Sequence, residues 1–267
     1  MDVRRLVRGS VPWSDLETIG DEVRSRYELG VVRVEFLDAD NWLSTPCVVN
    51  DTWFVKIISP QNALVHALFT GARNLGAFAS SGDGFFEPLD GPFEMARHEL
   101  AATRTLKRIG VNVPDPVESF QVDGYGVLVL EYLPAFETLE DQSAEELADW
   151  APRLFESLWL MHDHQLAHGD LRGENVLIHD DELFFIDVTS VSEDGIENAR
   201  AYDIASALAT IAPAIGAREA VAAALEYYTM DELLDARELL DFVRLRPDHE
   251  FDATRVKGEI ERRASRR

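Results

Sequence analysis

The chain has 267 residues, 46% of them hydrophobic, which allows one large domain or two lobes that share an interface. No run of roughly 18 apolar residues occurs, and nothing like a secretory segment follows Met1-Asp2-Val3-Arg4-Arg5, so no membrane span and a cytoplasmic location are expected. With 49 acidic and 25 basic residues the net charge is −24, which disfavours unspecific binding to nucleic acid or anionic lipid.

Only Lys56, Lys107 and Lys257 are lysines. Such an acidic, arginine-for-lysine balance resembles proteins of salt-loving organisms; an acidic protein of ordinary cytosol is the alternative. Cys47 is the sole cysteine, which excludes an internal disulfide and suits a buried packing residue. Arg262-Arg263 with Arg266-Arg267 is a candidate RNA-binding face, or a solvated helix end favoured by the helix dipole.

In chain order, Ser14 to Tyr27 reads as an amphipathic helix, with Ser14 as cap and Glu17 completing a capping box; Gly30 ends it. Val31 to Leu37 reads as a strand with Arg33 and Glu35 facing out. Cys47 to Val49 and Trp53 to Ile58 are the next two strands, turned at Asn50-Asp51. Residues 60–92 read as an insertion, with a helix from Ala63 to Asn74 and a loop around Ser80-Ser81-Gly82. Phe93 to Arg108 is a helix with a stripe of Ala96, Leu100, Thr103 and Leu106 and a C-terminal Gly110. Glu99 sits beside that stripe, and Glu94 one turn earlier. Val117 to Val122 and Tyr125 to Glu131 form a hairpin turned at Asp123-Gly124, which makes five strands in all. Glu131-Tyr132-Leu133-Pro134 is the expected hinge. It divides the chain into 1–133, mostly antiparallel sheet, and 134–267, mostly helix.

Beyond the hinge, Ser143 with Glu146 signals a helix start, and the pattern runs through Leu147, Ala151, Leu154, Leu158 and Met161, kinked or restarted at Pro152. Helices are expected over Ala201–Ile215 (with Asp203 at a helix start, placed to steady the catalytic loop from behind), Ala217–Tyr228, Met230–Leu245 and Asp252–Arg266. His162 and His164, two apart on a helix, point to different faces and do not suggest a metal site. His168 is expected to brace the loop that follows it.

That loop carries the chemistry. His168-Gly169-Asp170-Leu171 is followed by Asn175 and, after a short hydrophobic hairpin, by Asp187. This is the order of kinase-type phosphotransferases: Asp170 takes a proton from the attacking hydroxyl, and Asn175 and Asp187 hold Mg²⁺ against the phosphates of ATP. Hard oxygen ligands suit Mg²⁺. Lys56, a point cation on a rigid strand, is placed to reach the α- and β-phosphates, with Glu99 as its expected ion-pair partner and Glu94 as the competitor. Backbone groups at Glu131 and Leu133 are expected to meet the adenine edge.

These residues resemble the RIO-type atypical protein kinases from about Arg33 to about Ala205. The resemblance rests on Lys56 in its strand, on Glu99 ahead of Gly110 and Val111-Asn112-Val113-Pro114, on His168-Gly169-Asp170-Leu171 with Asn175, and most specifically on Ile186-Asp187-Val188-Thr189. It implies an α+β, bilobal protein-kinase-like fold with an antiparallel-sheet N-lobe and a compact helical C-lobe. It also implies ATP and Mg²⁺ as cofactors, and a serine/threonine protein kinase or ATPase activity. Ser44-Thr45 matches a Ser-Thr of the family's phosphate-binding loop, and Ser80 and Ser81 in the insertion become candidate phosphoacceptors. Two departures stand out. The loop from Asp38 to Pro46 has no glycine, and Arg172 stands where RIO proteins often have a small polar residue. Kinases of small hydroxyl compounds also use His-Gly-Asp, so a sugar, lipid-head or antibiotic acceptor is the alternative, and a catalytically weak nucleotide-binding switch is the third.

Overall fold

A computed structural model describes residues 11–37, 44–64, 91–188, 195–244 and 251–266. The chain divides into two compact units. The first holds the described residues up to 64, with 91–105 and 114–134; the second holds 106–113 and everything described from 135 onward.

In the first unit, α1 (Trp13–Arg26) is followed by β1 (Val34–Phe36), β2 (Thr45–Val49), β3 (Trp53–Ile58), α2 (Pro92–Ile109, whose last turn belongs to the second unit), β4 (Pro116–Val122) and β5 (Tyr125–Glu131). The strands form an antiparallel sheet in the order β1-β2-β3-β5-β4. Side chains alternate across a strand, so each face of the sheet has its own core. Cys47, Val49, Val55, Ile57, Val127 and Val129 pack with Ile19 and Val23 of α1. Phe54, Ile58, Leu128 and Leu130 pack with Met95, Ala96 and Leu100 of α2. Lys56, between Val55 and Ile57, therefore faces the α2 side.

The turns follow from residue chemistry. Asp123 and Gly124 both have positive φ, the geometry that a two-residue hairpin turn demands, and so do Asn50 and Asp51 in the three-residue loop between β2 and β3; Asn, Asp and Gly tolerate it. Gly110, at φ 92, ends α2 as expected.

Three expectations need correction here. The first helix starts at Trp13 with Pro12 at its cap position, and Ser14 makes no cap bond; Trp13 instead donates its indole N–H to Glu17 at 2.8 Å. The first strand is only three residues long and is exposed throughout, at the edge of the sheet where Val34 and Phe36 border an open recess under α1. The insertion helix begins at 60, not at Ala63: Ser59 caps it, giving its N–H to Asn62 Oδ1 at 3.0 Å and accepting the Asn62 N–H at 3.1 Å. Residues 65–74 of the expected helix, and the loop with Ser80 and Ser81, lie outside the described residues.

In the second unit, β6 (Glu137–Thr138), β7 (Val176–His179) and β8 (Glu182–Phe185) form a small antiparallel sheet. Five helices accompany it among the described residues: α3 (Ala144–Asp163), α4 (Ile196–Ile215), α5 (Ala217–Ala224), α6 (Met230–Arg244) and α7 (Ala253–Ala264). The expected capping box is present, with Ser143 Oγ accepting the Glu146 N–H and Glu146 accepting the Ser143 N–H. Ser143→Ala should lower the stability of this unit by about 1 kcal/mol in denaturant titration. A loss below the detection limit would mean that α3 is held by its packing alone.

Pro152 neither restarts nor breaks α3, which runs continuously through it. Leu147, Ala151, Leu154, Leu158 and Met161 are buried on one face, and that burial outweighs the roughly 3 kcal/mol cost of an interior proline. α4 begins at Ile196, five residues before the expected start, so Asp203 lies well inside it.

Candidate functional site

In the first unit, the Lys56 ammonium lies 3.0 and 2.9 Å from the two carboxylate oxygens of Glu99. Both residues are nearly sealed from solvent, at 6% and 9% exposure. Glu94 instead pairs with exposed Arg97. The reason is helical phase: Glu99 is next to Leu100 and Ala96 on the face turned to the sheet, whereas Glu94 lies on the outer side.

Pro46 sits opposite Lys56 in the β2–β3 register, but its carbonyl accepts the Leu37 N–H at 3.1 Å. A strand residue's N and C=O point to the same side, so the missing donor faces the end of β1 and not Lys56. Ser44, just before β2, is 2% exposed, and its hydroxyl has no hydrogen-bond partner among the described residues. The glycine-free loop ahead of it, 38–43, lies outside the described residues.

At the end of β5, the Glu131 N–H is bound to the Asp115 carbonyl at 2.8 Å and the Tyr132 N–H to the Thr52 carbonyl at 3.0 Å. The Glu131 side chain returns to the Asp115 N–H at 3.2 Å. Glu131 thus has no free N–H to offer a base edge, while no partner of the Leu133 N–H occurs among the described residues. An apolar recess of about 670 Å³ also belongs to this unit, but it lies under α1, lined by Trp13, Phe36, Cys47, Val55 and Ile57. It is on the sheet face away from Lys56. Burial there pushes the Cys47 thiol up to about 12, so it is a packing group and not a nucleophile.

In the second unit, the loop from His168 to Asn175 is held from several sides. The Asp203 carboxylate accepts the His168 N–H at 2.6 Å on one oxygen and the Gly169 N–H at 2.8 Å on the other. His168 Nδ1 accepts the Asp170 N–H at 3.3 Å, which requires a neutral ring; burial drives its pKa down, against the opposing carboxylates of Asp203, Asp170 and Asp187. Asn175 is 3% exposed and donates its amide N–H to the Asp170 carbonyl at 2.8 Å, which turns its amide oxygen away from that carbonyl. Its own carbonyl accepts the Ile186 N–H at 3.1 Å, tying the loop to the segment that carries Asp187. Asp187 has φ 59, a left-handed conformation that costs a non-glycine residue about 1–2 kcal/mol.

Arg172 lies 3.5 Å from Asp170 Oδ2 and is also paired with Glu174. A Cβ on Gly173 would come 2.7 Å from Glu140 Cβ, so glycine is the residue that lets this turn close against Leu139–Asp141.

His162 is fully buried and bonded to Asp203 at 3.2 Å, whereas exposed His164 rests on the Leu160 carbonyl. Tyr228, which sequence spacing did not single out, completes this cluster with its hydroxyl 2.7 Å from His162 Nδ1. Arg262 and Arg263 both pair with Glu259, which offsets part of the charge of the candidate RNA face. Thr189 lies outside the described residues.

The donor set of the second unit, an amide oxygen and carboxylates, has the hard-oxygen character that Mg²⁺ prefers, and the buried Lys56 ammonium is a fitting contact for phosphate oxygens.

Comparison with known proteins agrees with these features. The RIO domain family matches residues 86–202. The KEOPS complex subunit Bud32 of Pyrococcus abyssi is 28% identical over 115 residues, which are 42% of this chain and 51% of that protein. The chain thus spans about half the length of this curated relative. Among solved structures, the PAN3 pseudokinase mutant of Neurospora crassa is 14% identical, covering 96% of this chain and 70% of that one, with a TM-score of 0.44. A mutant form of the PknI kinase domain of Mycobacterium tuberculosis is 13% identical, covering 88% and 96%, also with a TM-score of 0.44. The sheet order and helical second unit give the chain an α+β architecture, and over residues 86–202 it is similar to the RIO domain family.

Proposed function

We infer that this protein is an ATP- and Mg²⁺-dependent phosphotransferase of the RIO-like kind, acting as a serine/threonine protein kinase or as an ATPase. The observation that carries the reading is the Asp170–Asn175–Asp187 segment. Its Asn175 is locked by both neighbours in the loop, and its Asp187 is held in a strained backbone state.

In this reading Asp170 accepts the proton of the attacking hydroxyl, or of water. Asn175 and Asp187 hold Mg²⁺, which neutralises charge on the phosphates. Lys56, oriented by Glu99, meets the α- and β-phosphates, Ser44 supplies a buried hydroxyl near the phosphate-binding loop, and the backbone of Glu131 and Leu133 borders the adenine. Arg172, beside Asp170, offsets charge on the transferring group. The high acidity of the chain supports a neutral or basic acceptor over a nucleic acid.

Radiolabelled ATP and Mg²⁺ with the purified chain should give self-phosphorylation or phosphate release. Asp187→Ala should reduce either by about 1,000-fold or more, the loss typical when preorganised charge stabilisation is removed. Turnover by the variant equal to that of the wild type would refute the role given to Asp187. A single phosphorylated metabolite in an acceptor screen would move the assignment to a small-molecule kinase.

A further inference from the structure

We propose that Tyr228 is a positioning residue for Asp170, acting through the His162 ring and the Asp203 carboxylate. The proposal rests on the phosphotransfer reading for its kinetic consequences but on geometry for the relay itself. Tyr228, His162, Asp203 and His168 are 3%, 0%, 0% and 0% exposed, so no solvent competes for their hydrogen bonds.

The proton assignment follows from the donor inventory. A carboxylate only accepts. Asp203 Oδ2 already takes the His168 N–H, and the His162 Nε2 that lies 3.2 Å away must bring a hydrogen as well. A neutral His162 protonated on Nε2 has a bare lone pair on Nδ1, and Tyr228 Oη stands 2.7 Å from it. A doubly protonated His162 would donate to the Tyr228 oxygen and turn the phenolic hydrogen away from the ring, where no acceptor for it occurs among the described residues. The neutral Nε2–H form gives that hydrogen an acceptor as well.

Burial and the nearby Asp203 carboxylate raise the Tyr228 pKa far above its ordinary value. Arg200 opposes them, itself 3.5 Å from Glu232, so the hydroxyl keeps its proton. The ring edges of Phe155 and His162 bracket the Tyr228 ring at 6.3 and 5.6 Å between centroids, so it has little room to turn away.

The consequence is directional. The Tyr228 hydroxyl selects the His162 tautomer; that tautomer supplies one of the donors on Asp203 Oδ2; and Asp203, fixed in rotation, holds the two N–H groups immediately ahead of Asp170. Without the hydroxyl, either tautomer or ring flip is open to His162, and Asp203 keeps the two backbone N–H groups but loses the side-chain donor that fixes Oδ2 from behind.

The test uses the full chain and the variants Tyr228→Phe, His162→Gln and the double variant. Long-range proton–nitrogen NMR of His162 should show the proton on Nε2 in the wild type and lose that preference in Tyr228→Phe. Amide exchange at His168 and Gly169 should quicken, and kcat should fall, each by about tenfold, the effect of one lost buried hydrogen bond, with KM for ATP unchanged. In the His162→Gln background, where a side-chain amide donates to Asp203 unaided, adding Tyr228→Phe should change neither exchange nor kcat further. An unchanged tautomer and unchanged exchange in Tyr228→Phe overturn the relay. An equal loss from Tyr228→Phe in both backgrounds overturns it too, since that marks packing alone. If the wild type shows no turnover, the phosphotransfer reading fails, while the tautomer and exchange measurements still decide the relay.

Discussion

Lys56→Met is expected to lower the stability of the first unit by about 3–5 kcal/mol, because it leaves the Glu99 carboxylate buried without its lysine. Glu99→Leu alone should cost a similar amount for the mirror reason, a buried ammonium without its carboxylate. The double variant should recover most of the loss, since well-packed apolar side chains replace a buried ion pair at little or no cost. Stability and function then part: the double variant should fold well yet gain no thermal stabilisation from Mg²⁺–ATP, which the wild type should show. Denaturant titrations of the four proteins, with and without nucleotide, make the comparison. A Lys56→Met loss under about 1 kcal/mol would place the pair in the class of solvent-screened surface bridges and remove the energetic case for a preorganised site.

Gly126→Ala is expected to disturb the same pair from the same face of the sheet, through the start of α2. An added Cβ would stand 2.1 Å from the Pro92 carbonyl oxygen and 2.8 Å from the Phe93 nitrogen, both backbone atoms at the start of α2. Neither can rotate away, so the first turn of α2 must retreat by about 1 Å to restore van der Waals distance. Overpacking of this kind costs about 1–3 kcal/mol, and more where backbone has to move. The retreat is transmitted along a rigid helix to Glu99, so Mg²⁺–ATP affinity should weaken together with stability. Gly124→Ala is the control. It lies in the adjacent turn at φ 86, meets nothing within 4 Å, and should cost only the about 1–2 kcal/mol of a left-handed alanine, with no change in nucleotide affinity. Equal behaviour of the two variants would show that the close approach of β5 and α2 does not govern the site.

Much of this architecture is legible from local pattern. The strand from Trp53 to Ile58, the turns at Asn50-Asp51 and Asp123-Gly124, the capping box at Ser143 and the Gly110 helix stop all follow from nearest-neighbour chemistry, which a sequence carries in full. The misreadings share a cause. Val31 to Leu37 has the composition of a half-buried strand, but at the sheet's edge only Val34 to Phe36 pair, and all three stay exposed. Pro152 has the signature of a kink or a restart, and the restart does not occur because a helix buried along one face tolerates the missing bond. Asp203 has the look of a helix start because Asp favours that place, and only that part fails: it lies inside α4, while its carboxylate does steady the catalytic loop 34 and 35 residues away, as expected.

The sequence alone determined which side chains could take part in phosphate and metal chemistry, because residue type and order carry the charge, the ligand hardness and the helical or strand period. It narrowed the partner of Lys56 to Glu94 or Glu99. Only the tertiary structure decided between them, closed Gly126 against Pro92, and joined Tyr228 to His162. Such contacts depend on how whole elements pack, and packing sets distances between residues whose separation along the chain leaves no periodic trace.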